Sequence, residues 1–304
     1  MIYMKQQLKG SIQLLIATII WGSAFVAQSV GMDHIGPFTF QAVRSLIAVL
    51  ALIVVIFLMD RGNSENFISR WLDPELWKTG FFCGIALFVA SALQQVGLVY
   101  TDPGKAGFIT AMYIVLVPVF GLFLGEKCGL NVWISVVLAV AGLYLLSAFG
   151  VSSVNIGDIL VLGCACGFAV QILLVDRLGK TLDGLRLNLV QFLVSSVFSA
   201  IAMFLFEEPV WSSITACAVP LLYTGVMSSA VAFSLQILAQ QKLPPAPASL
   251  IMSLESVFAV ISGWILLGQG LSISEGIGCL LVFSGVILSQ WQDLFARSTD
   301  QNNE

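Results

Sequence analysis

Apolar runs of about twenty residues, the length a helix needs to cross a bilayer, recur along the chain. They predict membrane helices over residues 11–30, 38–58, 79–100, 105–124, 131–149, 158–175, 187–206, 218–238, 248–267 and 273–291. Short joints separate them, rich in Gly, Pro, Asn or Asp, as in GMDHIGP after the first run, TDPG after the third and KLPPAP after the eighth. Only residues 59–78 leave room for more than a turn. With 58% hydrophobic and 10% charged residues and a mean hydropathy of +0.97, the 304-residue chain reads as an all-α polytopic membrane protein.

Charge sets an expected orientation. With the N-terminus placed in the cytoplasm, eleven of the thirteen Lys and Arg residues fall on the cytoplasmic side. Lys105 alone lies outside and Arg44 lies within a span, so both termini are expected in the cytoplasm. The opening MIYMKQQLKG runs into the first apolar stretch without an A-x-A cleavage site and reads as an uncleaved span. The net charge of −4 has no basic cluster, which gives nucleic acid or an anionic membrane surface nothing to bind. The lipid bilayer and a small molecule are the expected partners.

The two halves resemble each other. Shifted by 143 residues, Leu124-Gly125 meets Leu267-Gly268, Leu138 meets Leu281, Gly142 meets Gly285 and Leu145 meets Leu288. A shift of 142 pairs Ala106 with Ala248, Val115 with Val257 and Tyr113 with Glu255. Five spans per half is an odd number, so the second half must cross the membrane upside down relative to the first. Inverted repeats of this kind place a transporter's site at the repeat interface near the midplane.

Several stretches resemble the EamA-type ten-helix members of the drug/metabolite transporter superfamily. They are IIWGSAF in the first span, FQAVRSLIA with Arg44 in the second, QQVGLVYTDPGKAGFITAMYIVLVPVFGLFLGEK across the third and fourth, and PPAPASLIMSLESVFAVISGWILLGQ in the second half. The resemblance implies two inverted five-helix repeats around a central cavity, residues 11–149 and 156–291, with a cytoplasmic tail over 292–304. It also implies a bacterial inner-membrane location and peripheral fifth and tenth helices. Two positions depart from the family pattern: Ser256 stands where many relatives have proline, and the second-half GE(R/K) motif reads Gly268-Gln269-Gly270.

Candidate chemistry sits on polar residues within spans. Arg44 is the seventh residue of its span, roughly 9 to 10 Å deep at 1.5 Å per residue, and Gln41 shares its face. It reads either as a clamp for a carboxylate or other anion, or as a tether between helices. Glu255 is the eighth residue of the ninth span, roughly 11 Å in and near the midplane, where a carboxylate needs a partner or a cavity. It reads as a ligand for an ammonium group, a proton carrier coupling transport, or a hydrogen-bonded structural acid. Trp21, Gln28, Gln94, Gln95, Tyr113, Gln171, Gln191 and Gln236 supply an aromatic wall, amides and a phenol suited to a cavity lining or to interhelical hydrogen bonds. Pro103, Gly104, Pro118, Pro245 and Pro247 are hinge candidates, because proline removes a backbone donor. The six cysteines read as packing residues without metal-ligand spacing, and pairs such as Gly80 and Gly84 read as helix-packing contacts.

His34 is the single histidine, and no G-x-S-x-G, H-E-x-x-H or P-loop string occurs. Neither enzymatic chemistry, a metal nor a cofactor is expected. The sequence points to a secondary active transporter, monomer or homodimer, that exports small polar metabolites such as amino acids by alternating access, with protons as a candidate coupling ion. A lipophilic-cation exporter, an importer of a vitamin or nucleobase, and a non-transporting scaffold or sensor are the alternatives.

Overall fold

The computed structural model describes residues 2–61, 70–101, 103–126, 128–147, 155–267 and 272–300. The segment Gly268-Gln269-Gly270, Lys127 and most of the joint between the second and third spans lie outside the described residues.

Helices fill every expected span. They are α1 (Ile2–Met32), α2 (Pro37–Asp60), α3 (Pro74–Gly97), α4 in two pieces (Pro103–Thr110 and Tyr113–Phe123), α5 (Leu130–Ser147), α6 (Ile156–Leu178), α7 (Gly184–Phe206), α8 (Ala218–Gln240), α9 in two pieces (Pro245–Met252 and Leu254–Leu267) and α10 (Ile273–Asp300). Among the described residues nine are long and apolar enough to cross a membrane, and α5 contributes a shorter apolar helix, Leu130–Leu146. The short helix Trp211–Ala216 lies between α7 and α8, so that connection is more than the turn the sequence suggested.

Local chemistry marks the helix starts. Proline stands at the first positions of α2, α3 and α9, where its missing N–H costs nothing. Asp73 and Asp183 cap α3 and α7, and Asn155 with Asp158 forms a capping box on α6. The start of α2 borrows its cap from elsewhere. Glu207, just past α7, accepts from the amides of Phe38 and Thr39, each at 2.8 Å, and from the Thr39 hydroxyl at 2.6 Å. At the other end of the same pair, Arg186 near the start of α7 meets Asp60 at the end of α2 at 2.6 Å. The two helices therefore run antiparallel, fastened at both ends.

The same inversion governs α5 and α10. A Cβ on Gly142 would stand 2.6 Å from the carbonyl oxygen of Gly278, and one on Gly278 would stand 2.6 Å from that of Gly142. Gly285 lies against the carbonyl of Ser135, and this contact is the Gly142–Gly278 contact with each member moved 143 residues. The pattern extends to unlike pairs: α3 packs on α6 as α8 packs on α1, and α3 on α7 as α8 on α2. These exchanges define a pseudo-two-fold axis between two inverted five-helix repeats.

Backbone hydrogen bonds inside each helix leave few amide groups for the lipid to satisfy. Leu14, Ile114, Leu143, Ile172, Leu250 and Val282, from six different helices, share the largest buried cluster, so the halves interleave rather than stand apart. Large apolar side chains such as Phe57, Val137, Phe204 and Leu280 face outward, where bilayer replaces water.

Candidate functional site

A narrow cavity lies among α1, α2, α3, α4, α6, α8 and α9, and neither α5 nor α10 contributes to its lining. It offers about 50 Å³ to the centres of water molecules, room for a few waters. Of the substrate-binding residues expected from sequence, Trp21, Gln28, Arg44, Gln94, Tyr113, Gln236 and Glu255 line it together. Gln41 and Gln95 are fully buried but stand outside the lining; Gln41 reaches the Ser45 hydroxyl and Gln95 the Met32 sulfur. Phe25, Thr110, Phe168, Ile172, Ser228, Phe233 and Met252 were not anticipated.

The repeat offset relates most of the lining residues to one another. Phe25 pairs with Phe168 and Gln28 with Gln171 at 143 residues, while Gln94 pairs with Gln236, Thr110 with Met252 and Tyr113 with Glu255 at 142; all ten residues line the cavity. Several lining residues have counterparts of another chemical type, Arg44 and Trp21 among them. Arg44 corresponds to Leu187, and Trp21 to Cys164. The fold supplies a symmetric pocket, and the sequence polarises it.

Tyr113 and Glu255 occupy the first turn of the second piece of α4 and of α9. Each piece follows an interruption, at Ala111–Met112 and at Ser253, also related by 142 residues. Tighter turns bridge the breaks: Ile114 N donates to Ala111 O at 3.0 Å and Ser256 N to Ser253 O at 3.2 Å. The Ser256 hydroxyl donates to Gly107 O at 3.1 Å, tying α9 to α4 through a residue type that proline could not replace. Among the hinge candidates, Pro103, Gly104, Pro245 and Pro247 belong to the first pieces and Pro118 lies within the unbroken second piece of α4.

The Tyr113 hydroxyl donates to Glu255 Oε1 at 2.9 Å. Arg44 Nη1 donates to Gln28 Oε1 at 2.8 Å, and Gln28 in turn donates to Ala24 O at 3.3 Å. Both charged residues are buried, Arg44 at 4% and Glu255 at 6% exposure, and Arg44 has no carboxylate within 4.0 Å among the described residues. Its Nε also lacks a partner there. Gln94 donates to Thr110 at 3.2 Å. Trp21 Nε1 donates at 3.3 Å to Ser228 O, within the π-helical stretch Tyr223–Ala232 of α8, whose wider turns present carbonyls sideways. Trp21 also meets Phe233 edge-on, ring centroids 5.0 Å apart.

Among the described residues no cluster of three His, Cys, Asp or Glu side chains is arranged to hold a metal ion. The arrangement suits binding and release of a small solute.

A model of the EamA-like transporter family matches residues 8–148 and again 155–291, one match for each half. The chain belongs to the EamA-like transporter family. Its relatives include an uncharacterized transporter of Archaeoglobus fulgidus, 32% identical over 93% of this chain and 86% of that protein, and the uncharacterized transporter YoaV of Bacillus subtilis, 25% identical over 92% and 96%. The threonine/homoserine exporter RhtA of Escherichia coli K12 is 32% identical over 145 residues, 46% of this chain and 48% of that one. A solved crystal structure shares the fold at a TM-score of 0.79 and 18% identity, covering 95% of this chain and 98% of its own. This is a multi-pass membrane transporter for a small-molecule substrate.

Proposed function

We propose that this transporter exports small polar metabolites, amino acids or close relatives, across a bacterial inner membrane by alternating access, with both termini in the cytoplasm. The observation that carries the reading is a narrow cavity lined by both Arg44, a buried cation with no carboxylate partner among the described residues, and a buried acid, Glu255. A zwitterion satisfies both: its carboxylate takes the free edge of the guanidinium and its ammonium group the Glu255 carboxylate. Before substrate binds, Glu255 exchanges a proton, which couples flux to the proton gradient. The partial similarity to RhtA supports an amino-acid substrate and outward transport.

Alternating access requires a site reachable from either side in turn. The interruptions of α4 and α9 serve as paired pivots, letting each first piece swing against a second piece that keeps Tyr113 or Glu255 on the axis. A lipophilic cation fits less well, because Arg44 would repel it within the same cavity. Counterflow of labelled amino acids, nucleobases and cationic dyes in proteoliposomes tests the reading. Saturable amino-acid exchange is expected, and exchange of cationic dyes alone would overturn it.

A further inference from the structure

Gln236 lines the same cavity as Arg44 and lies one turn before α8 ends at Gln240. Around it runs a ladder of five buried amides, Asn188, Gln191, Gln171, Gln236 and Gln240, none more than 2% exposed. Backbone carbonyls, which can only accept, fix the direction of the ladder at both ends. At one end Asn188 Nδ2 donates to Ser229 O at 3.3 Å and Ala230 O at 3.1 Å. It also donates to Ser234 Oγ at 2.8 Å, whose own proton goes to Ala230 O. Asn188 must therefore turn its oxygen to Gln191, whose nitrogen donates to it at 2.7 Å. By the same step Gln171 donates to Gln191 at 3.2 Å, and Gln236 to Gln171 at 3.1 Å. At the other end Gln240 Nε2 donates to Ile172 O at 3.0 Å, so its oxygen faces Gln236 and accepts at 2.9 Å.

Both ends thus demand the NH₂ group of Gln236. An amide has two donors and one acceptor oxygen, and both donors are consumed. Flipping Gln236 would set its oxygen against two other oxygens. Its Oε1 is left without a partner among the described residues, buried on a residue that lines the cavity. A neutral acceptor held this way is matched by a neutral donor.

We infer that Gln236 is a specificity-determining residue: its unpaired oxygen receives a hydroxyl or amide N–H from the side chain of the substrate. The inference rests on the transport reading above and narrows it to zwitterions with a hydrogen-bond donor on the side chain. A site built around a buried acceptor discriminates strongly against an isostere that lacks the donor, because the acceptor is then shut in unpaired.

Counterflow with isosteric pairs, threonine against valine and serine against alanine, tests this on the full-length protein in proteoliposomes. The wild type is expected to exchange the hydroxyl member at least tenfold better in kcat/KM. Gln236→Met is expected to bring each pair within threefold by losing threonine and serine while holding valine and alanine. The wild-type comparison stands even if that variant folds poorly. Equal exchange of both members by the wild type would overturn the role of Gln236 and leave the transport reading intact, as would a hydroxyl preference that survives in Gln236→Met. Exchange of neither pair would overturn both.

Discussion

Tyr113 and Glu255 are symmetry equivalents that touch each other: 142 positions apart, they share a 2.9 Å hydrogen bond. Equivalent residues in contact must straddle the axis that relates them. In the proposed alternating-access cycle the bond marks the point least displaced as the two repeats exchange conformations, which keeps the acid central in either state. Glu255→Gln keeps the size and a hydrogen-bonding oxygen but cannot exchange a proton. The expected result is a protein of unchanged folding with proton-driven flux lost and substrate counterflow altered. Wild-type rate and pH dependence in proteoliposomes would sink the coupling role. Tyr113→Phe leaves the carboxylate one donor short, a change worth about 1–3 kcal/mol for a buried group, and should slow exchange roughly tenfold or more.

Arg44 holds Gln28 through Nη1, and its Nε has no partner among the described residues. A planar fork with free donors takes a carboxylate at two points, whereas a lysine ammonium acts as a point charge. Arg44→Lys is expected to retain folding yet raise the KM for zwitterionic substrates at least tenfold, and Arg44→Gln to raise it further. Decarboxylated amine analogues should lose their disadvantage in Arg44→Gln. Equal KM values for wild type and Arg44→Lys would show that the guanidinium serves only to tether α2 to α1.

The spans were legible because hydropathy and length report directly on lipid contact, and the offset of the halves was legible in Leu124-Gly125, Gly142 and Leu145. Arg44 and Glu255 stood out because charge in an apolar run is costly. The helix interruptions were not legible. Ala111, Met112 and Ser253 are neither proline nor glycine, so nothing local in the sequence marks the breaks. The π-helical turn in α8 likewise has no local marker, since its carbonyls are drawn out by Trp21 and Asn188 from other helices. Gln95 is chemically like its neighbour Gln94, and its rotation about the helix axis keeps it from the cavity, whereas Gln41 shares the face of Arg44 and stands about one turn nearer the start of α2.

Arg186 fastens α7 to α2 through Asp60 at 2.6 Å, bonds Asp183 as well, and lies over the Trp71 ring, 5.4 Å from its centroid. Its side chain is 3% exposed and that of Asp60 10%. Removing one partner of so buried a pair strands the other charge, and Arg186→Met should destabilise the protein by about 3–5 kcal/mol. The exposed Lys78–Glu75 pair, with side chains 60% and 62% exposed, is the control. Lys78→Ala should change stability by less than about 0.5 kcal/mol. Reversible unfolding in mixed micelles compares the two, and equal effects would contradict the fastening of α2 to α7.

The crossing of α5 and α10 depends on backbone approach. At Gly142 an added Cβ meets the Gly278 carbonyl at 2.6 Å and Val282 Cγ2 at 2.8 Å, and neither obstacle is the far end of a flexible side chain. The helices must part to admit it, so Gly142→Val should cost about 1–3 kcal/mol through overpacking. Gly276 is in α10 too, yet nothing lies within 4 Å of the position its Cβ would take. Gly276→Ala should leave stability unchanged or raise it by about 0.5–1 kcal/mol, since alanine loses less backbone entropy in a helix. Because α5 and α10 stay clear of the cavity, Gly142→Val should lower the unfolding midpoint while preserving KM in the fraction that remains folded. A raised KM at normal stability would mean that the peripheral pair takes part in the transport cycle.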